Sequence, residues 1–468
     1  MAAPTGLEGF TGSDLARMYR RRTVSPVEVT RAVLARIDKL NARYNAFCLV
    51  DHERALHAAA QSEARWAKDQ PLSVIDGLPT TIKDVLLTKG WPTHRGSRTT
   101  DPSQPWTEDA PAVARLREHG AVLLGKTTTP EFGWKGVCDS PLTGITRNPW
   151  NPSLTPGGSS GGAAVAAALR LGCLHLGTDG GGSIRIPAGF TGIFGIKPTF
   201  GLVPAYPLSP FGTIAHVGPM TISVEDAARM LTIISRPDDR DWYALPPVPR
   251  DFSVGIDAGV SGLRIALSTT LGYVPVDAEV VALVERAATK LADAGAIVEL
   301  RDPGFSDPFE TFTAHWYTGA ASLRRSIPES RRQLLEPGFA AIADAGEAIP
   351  LMQYIAASDQ RAALGHKMST FCREFDLLLT PTLPIPAFEV GRLSPAAADQ
   401  SNWMNWTPFT FPFNLSQQPA ASIPCGFTRA GLPVGLQVVA AKYRDDLVLR
   451  VARAYESLHP ITTPDIAD

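Results

Sequence analysis

The sequence predicts an α/β fold, with one sheet covered by helices on both faces. Two observations carry this expectation. Candidate strands and helices alternate along most of the chain, and residues 263–301 read as strand, helix and strand in the manner of a βαβ unit. The composition agrees: 468 residues, a net charge of −2 and 44% hydrophobic residues are ordinary for a globular protein. Length alone would allow two or three domains, but a large α/β fold holds such a chain as one unit, 1–468.

Taken in order, Ser13 is a candidate N-cap for a short first helix. Ser25-Pro26 is a stronger helix start, with proline in the first turn and Val27, Val29, Ala32, Val33 and Ile37 as apolar positions. A strand is expected at 46–50 and a helix at 53–68. A loop at 71–76 leads into a short apolar strand ending at Lys83. The polar stretch 93–109 precedes a helix from about 110 to 119. Gly120–Thr127, GAVLLGKT, matches the GxxxxGK[ST] pattern of phosphate loops. In a true phosphate loop the residues between the glycines form an exposed turn, whereas here Ala-Val-Leu-Leu is itself the strand, so nucleotide binding is not expected.

Residues 129–156 are loop-rich, 161–170 small and helical, and 173–176 an alternating strand that holds His175. After residue 235 a polar, proline-rich segment reads as a crossing loop. Residues 306–375 are mainly helical and include Phe309, Phe312, Trp316 and Tyr317. A strand follows at 377–380. The stretch 396–420 carries Asn402, Trp403, Met404, Trp406, Phe409, Phe411 and Phe413, a density of aromatics that predicts a wall of a pocket. Strands at 421–424 and 434–439 and a helix at 445–458 close the chain.

The near-zero charge gives no reason to expect nucleic acid or an anionic membrane as partner. No apolar run reaches the roughly 18 residues of a membrane span, and the start of the chain lacks a basic segment followed by an apolar one. Five scattered cysteines, Cys48, Cys138, Cys173, Cys372 and Cys425, read as free thiols in a reducing, cytoplasmic setting. Without CxxC or HExxH, neither a metal site nor another cofactor is expected.

The chemistry gathers between Pro156 and Pro198. Ser159 and Ser183 each lie inside a glycine cluster, PGGSSGG at 156–162 and GTDGGGS at 177–183. Such density signals backbone conformations closed to other residues, or backbone held close to a ligand. Successive amides in a turn of this kind can converge on an anion. A hydroxyl nucleophile beside a ring of N–H donors is what acyl transfer needs. The missing part is a base, and Lys83, next to Asp84, is a candidate about a hundred residues upstream.

With that lysine included, the chain resembles the amidase signature family. The matching segments are GLPTTIKD at 77–84, GGSSGG at 157–162 and GTDGGGSIRIPA at 177–188, supported by LLGKTTTPEF at 123–132 and RNPWNPSLTPGGSSGG at 147–162. The resemblance spans nearly the whole chain and is strongest over 75–225. It implies a single α/β/α domain with a large mixed sheet, on which 306–375 forms a helical cap at the substrate entrance. It also implies a Ser–cisSer–Lys triad: Ser183 the nucleophile, Ser159 the bridging serine in a cis peptide, Lys83 the base. Gly180, Gly181, Gly182 and Ser183 would supply oxyanion donors. Asp179 and Arg185 could pair behind the nucleophile and hold its loop. Phe132, Gly133 and Trp134, with Trp316, Tyr317, Trp403 and Trp406, are the pocket candidates. The lysine must be neutral to act, which requires a dry site; strand alternation places Asp84 on the opposite face from Lys83.

Three functions compete on this basis. The first is a stand-alone amidohydrolase for small aryl or alkyl amides, with esters, carbamates or ureas open to the same acyl chemistry. The second is the glutaminase component of an aminoacyl-tRNA amidotransferase, and the third a binding protein on the same fold. The aromatic pocket candidates tilt towards the first, and retention of Lys83, Ser159 and Ser183 together opposes the third. A small amide is then the expected partner, and a homodimer is compatible with the chain.

Overall fold

The computed structural model describes residues 10–466 except 247, 249, 396–399 and 401. Residues 1–9, which bear on the expected lack of a secretory segment, lie outside the described residues, as do 396–399 and 401 of the aromatic stretch. The described strands are β1 Phe47–Val50, β2 Pro79–Lys83, β3 Val122–Thr127, β4 Asp139–Ser140, β5 Gly144–Ile145, β6 Leu174–Asp179, β7 Phe194–Lys197, β8 His216–Thr221, β9 Arg264–Leu267, β10 Ile297–Leu300, β11 Leu377–Pro381, β12 Ala420–Phe427 and β13 Pro433–Ala440. Eleven of them form one mixed sheet in the order β1-β3-β2-β6-β8-β7-β12-β13-β11-β9-β10; β4 and β5 pair separately. The chain folds as one α/β domain around this sheet.

Local chemistry sets the elements. The helix Pro26–Tyr44 starts as its sequence predicts: Ser25 and Glu28 form a reciprocal capping box, and proline opens the first turn. The first helix, Gly12–Arg21, departs from expectation. Thr11, not Ser13, is its N-cap, because Thr11 and Asp14 complete a capping box just ahead of it. Ser13 instead donates from its hydroxyl to Asp226 at 2.7 Å, fastening this helix to the helix Val224–Ile234. Strands β9 and β10 are parallel and joined by the helix Ala278–Asp293, the expected βαβ unit.

Every residue of β2 and β3 is buried, as befits strands covered on both faces. One face of the sheet packs against the helices Pro111–Glu118, Val224–Ile234, Ala278–Asp293 and Asp445–Leu458. The other carries the short helices Gly161–Ala168 and Arg185–Thr191, the first built almost wholly from glycine and alanine, which let helix and strand backbones come close. Beyond them lies a second, aromatic core beneath the helices Phe309–Ser326, Pro337–Glu347 and Leu351–Glu374.

The aromatic stretch around 403–413 fills that core. Trp403, Met404, Trp406, Phe409, Phe411 and Phe413 are all buried. Phe312 stacks on Phe411 at 4.8 Å between centroids and Phe190 on Trp406 at 5.7 Å. Most of its rings fill the space between the helical segment and the sheet, where burial of aromatic area is most favourable, while Met404, Asn405, Pro408 and Phe411 line a hollow of about 390 Å³ with Phe309 and Glu310.

Candidate active site

Strand register brings the site together. Ile82 on β2 lies opposite Leu176 on β6, so Lys83, the last residue of β2, ends level with the carboxyl end of β6. Ligands of α/β sheets collect at such strand ends. Lys83 Nζ lies 2.9 Å from Thr178 Oγ1, 2.7 Å from Ser159 Oγ and 2.9 Å from Ser160 Oγ. Those serines come from the loop that opens the helix Gly161–Ala168, and the Gly158–Ser159 peptide is cis. The Ser160 N–H donates to the Ser183 carbonyl at 3.1 Å, tying the two serine loops together.

Lys83 is wholly buried, and among the described residues its amine contacts three hydroxyls and no carboxylate. Burial disfavours its charged form and brings its pKa down from 10.5 to about 7, against a smaller opposing pull from Cys138 and Asp179. Asp84 does face away: it ion-pairs with Lys126 at 3.4 Å. Lys126, the lysine of the phosphate-loop lookalike, is buried and donates to the Leu86 carbonyl and to Thr93, so this strand presents nothing to a nucleotide. His175 is equally committed. It sits 2.9 Å from Thr81 Oγ1 inside the sheet, and burial pushes it down to about 3.

The loop of Ser183 is held from behind by one ion pair. Arg185 donates to both oxygens of Asp179 at 3.0 Å, to the carbonyl of Thr410, and to Gln437 and Asn414. Asp179 also accepts from the Gly182 N–H at 2.7 Å and the Ile184 N–H at 3.2 Å. Burial alone would raise this carboxyl; Arg185, Lys197 and Asn414 outweigh it and hold Asp179 well below the usual carboxylate range. Gly182 has φ +128°, and a Cβ there would lie 2.4 Å from Thr410 Oγ1, so the turn into Ser183 requires glycine. Because the Gly182 N–H is spent on Asp179, it drops out of the expected donor set. The N–H groups of Gly180, Gly181 and Ser183 make no hydrogen bond among the described residues.

Ser159, Thr178, Gly180 and Ser183 open onto a cavity of about 480 Å³. Of the pocket candidates, Phe132, Gly133 and Trp316 line it, together with Phe211, Leu86 and Leu323. Trp134, Trp403, Trp406 and Tyr317 do not. Trp134 is buried, donating to Glu336 at 2.8 Å, and Trp403 packs behind Gly181. Tyr317 is half-buried against the aromatic core. Sequence reasoning missed Thr178, Ser160 as a partner of the lysine, and Arg95, which also lines the cavity. Ser160 could have been found from the pair of adjacent serines; Arg95 carries no local signal. Among the described residues no group of acidic, histidine or cysteine side chains is arranged to hold a metal, and all five cysteines are free. No described helix is long and apolar enough to cross a membrane.

A neutral amine, a hydroxyl between it and a second serine's loop, and free N–H groups on a glycine turn can together move a proton and hold an oxyanion. Comparison with known proteins gives the family and the class of reaction. The family model described as Amidase matches residues 28–449. The chain is 34% identical to an acylamidase of Rhodococcus erythropolis, over 99% of this chain and 98% of the relative. It is 37% identical to a glutamyl-tRNA(Gln) amidotransferase subunit of Myxococcus xanthus, over 97% and 98% of the two chains. A bacterial aryl acylamidase of the amidase signature enzymes superposes with a TM-score of 0.90 at 28% identity, covering 96% of each chain. On these grounds the chain belongs to the amidase signature family and is an amide-hydrolysing enzyme.

Proposed function

We propose that this enzyme hydrolyses small carboxylic amides through an acyl-enzyme on Ser183, with Ser159 as proton relay and Lys83 as base. The observation that carries the reading is the contact of Lys83 with Ser159 at 2.7 Å, made by a lysine whose pKa burial has brought to about 7. In the proposed sequence neutral Lys83 accepts the Ser159 hydroxyl proton while Ser159 accepts that of Ser183. The Ser183 oxygen bonds to the substrate carbonyl carbon, and the carbonyl electrons move to oxygen, facing the N–H groups of Gly180, Gly181 and Ser183. The proton returns from Lys83 through Ser159 to the leaving nitrogen as the C–N bond breaks. Water then enters by the same relay, and the released acid restores Ser183.

The mostly apolar lining, with Phe132, Phe211 and Trp316, favours an aryl or alkyl amide over a free amino acid. A second reading, glutaminase within an amidotransferase, draws on the 37% identity to an amidotransferase component. Purified protein tested alone on glutamine and on a panel of aryl and alkyl amides separates the two. Release of aryl amine without a partner supports the first; turnover of glutamine alone, or only with partner proteins, overturns it.

A further inference from the structure

Arg95 is the cation of the cavity wall that the reaction leaves unused. It lines the same 480 Å³ cavity as Ser159 and Ser183. Its side chain is half-buried, and among the described residues its guanidinium makes no hydrogen bond, ion pair or ring contact. Other buried or half-buried arginines of this protein are paired. Arg185 meets Asp179, Asn414 and Gln437; Arg65 meets Asp76; Arg361 donates to Thr213 and to the Leu415 carbonyl. The acid that could neutralise Arg95, Asp84, is itself ion-paired with Lys126. The acid of the cavity wall, Asp241, already accepts from the N–H groups of Ala205 and Tyr243. Glu131, nearby on the chain that follows β3, accepts from Ser97 and from the Glu336 N–H.

The backbone that presents Arg95 is held against the wall. Arg95 has φ +58°, a left-handed conformation costly for a side-chain-bearing residue. The next residue, Gly96, is also left-handed, and a Cβ there would lie 2.5 Å from the Thr129 carbonyl oxygen. The Arg95 carbonyl accepts from the Phe132 N–H at 2.7 Å, and Phe132, a second wall residue, has φ +52°. Two strained residues, hydrogen-bonded to one another, thus face one cavity, a pattern that strain at functional sites leads one to expect.

We infer that Arg95 receives a carboxylate carried by the substrate, so that the preferred amides of this enzyme are anionic. This rests on the amidase reading above and names the substrate class for the same site. A guanidinium presents a fixed fork of donors that matches a carboxylate in two parallel hydrogen bonds. In a cavity with mostly apolar walls such a pair is screened little by salt. Free glutamine offers a carboxylate but also an ammonium group, and the one acid of the wall, Asp241, is already occupied by backbone donors.

The test compares matched chromogenic anilides: half-anilides of dicarboxylic acids, the anilides with a hydroxymethyl group in place of the free carboxylate, and acetanilides with and without a ring carboxylate. The expected result is a kcat/KM ratio favouring the anionic member of a pair by about tenfold or more, as a charge-assisted fork gives. In Arg95→Met that ratio collapses towards one, and in Arg95→Lys part of it returns. Methionine accepts the left-handed backbone no worse than arginine, and a melting curve checks that the variant folds. Binding is read separately by calorimetry, with the half-anilide titrated into Ser183→Ala and into Ser183→Ala with Arg95→Met; the second should bind about tenfold more weakly. No anionic preference in the wild type, or equal binding by the two proteins, overturns the inference. If neutral anilides are cleaved in a Ser183-dependent way without that preference, the amidase reading stands and this one falls. If no anilide is cleaved yet binding depends on Arg95, the reverse holds.

Discussion

Lys83 makes the sharpest prediction, because one number governs both kinetics and stability. Bringing a lysine from 10.5 to about 7 means that the site disfavours its ammonium form by about 5 kcal/mol relative to water. The sign follows from proton counts. Between about pH 7 and 10.5 the unfolded chain holds this proton and the folded chain does not, so stability at this position rises with pH through that window. Below about pH 7 the folded chain must carry the charge in a dry site. Lys83→Met abolishes this dependence. It also strands the hydroxyls of Ser159, Ser160 and Thr178, at about 1–3 kcal/mol, but that loss does not vary with pH. The wild-type minus variant difference in unfolding free energy, from denaturant melts at several pH values, should therefore climb by up to about 1.4 kcal/mol per pH unit above pH 7 and flatten below it. Activity should follow the same group: log kcat/KM of the wild type should rise with unit slope on the acid side and level off above about pH 7. Lys83→Arg should not rescue activity, since arginine keeps its proton. A stability difference independent of pH would refute the neutral lysine. A rate profile of unchanged shape in Lys83→Met would assign the base elsewhere.

Three further outcomes are expected. Ser183→Ala should lose about 10⁴-fold or more in kcat, and a fluorophosphonate adduct located by peptide mass spectrometry should fall on Ser183; an adduct on Ser160 would reverse the roles of the serines. The losses in Ser159→Ala and Ser183→Ala should not multiply in the double variant, since a relay fails as a unit, whereas Ser160→Ala, which removes one of the three oxygens around Lys83, should shift the acid limb of the pH profile as well as lower kcat. Asp179→Asn should destabilise the fold by about 3–5 kcal/mol in denaturant melts, because it leaves Arg185 buried with its charge unmatched; a loss below about 1 kcal/mol would mean that Gln437 and Asn414 suffice for the guanidinium.

Much of this was legible in the chain. The strands that bound the site announce themselves as apolar runs, and the helix at Pro26 by Ser25, Pro26 and Glu28. Lys83, Ser159 and Ser183 stand out because glycine clusters and a strand-end lysine share a recognisable order. What stayed hidden depends on non-local contacts. Ser13 has cap chemistry, yet Thr11 wins the cap because Asp14 reciprocates and Asp226 claims Ser13 from a helix more than two hundred residues away. Trp403 and Trp406 have the composition of a pocket wall, but only the packed helices decide that they face inward. The loss of Gly182 as an oxyanion donor is invisible in GTDGGGS, since it turns on where the Asp179 carboxylate points. Arg95 sits in a polar loop whose sequence suggests nothing but solvent.

Lys83 and Arg95 make a pair of cases under one cause. Both are taken out of water near the same cavity, and in both burial disfavours the charged form. The lysine can relax by giving up its proton, and in the proposed mechanism the neutral amine is then the base for the two serines. The arginine has no such release within the accessible pH range. Its charge stays, and a charge that cannot be discharged must be matched. The protein does match it where structure alone is at stake, as Asp179 does for Arg185. At Arg95 no described acid closes an ion pair: Asp84 attracts the guanidinium but is itself paired with Lys126, while the surrounding backbone is held in a strained conformation that places the residue on the wall. Under the proposed mechanism and the proposed carboxylate contact, the same dry site yields a neutral base where proton transfer is wanted and a persistent cation where recognition is, and the residue type at each position decides between them.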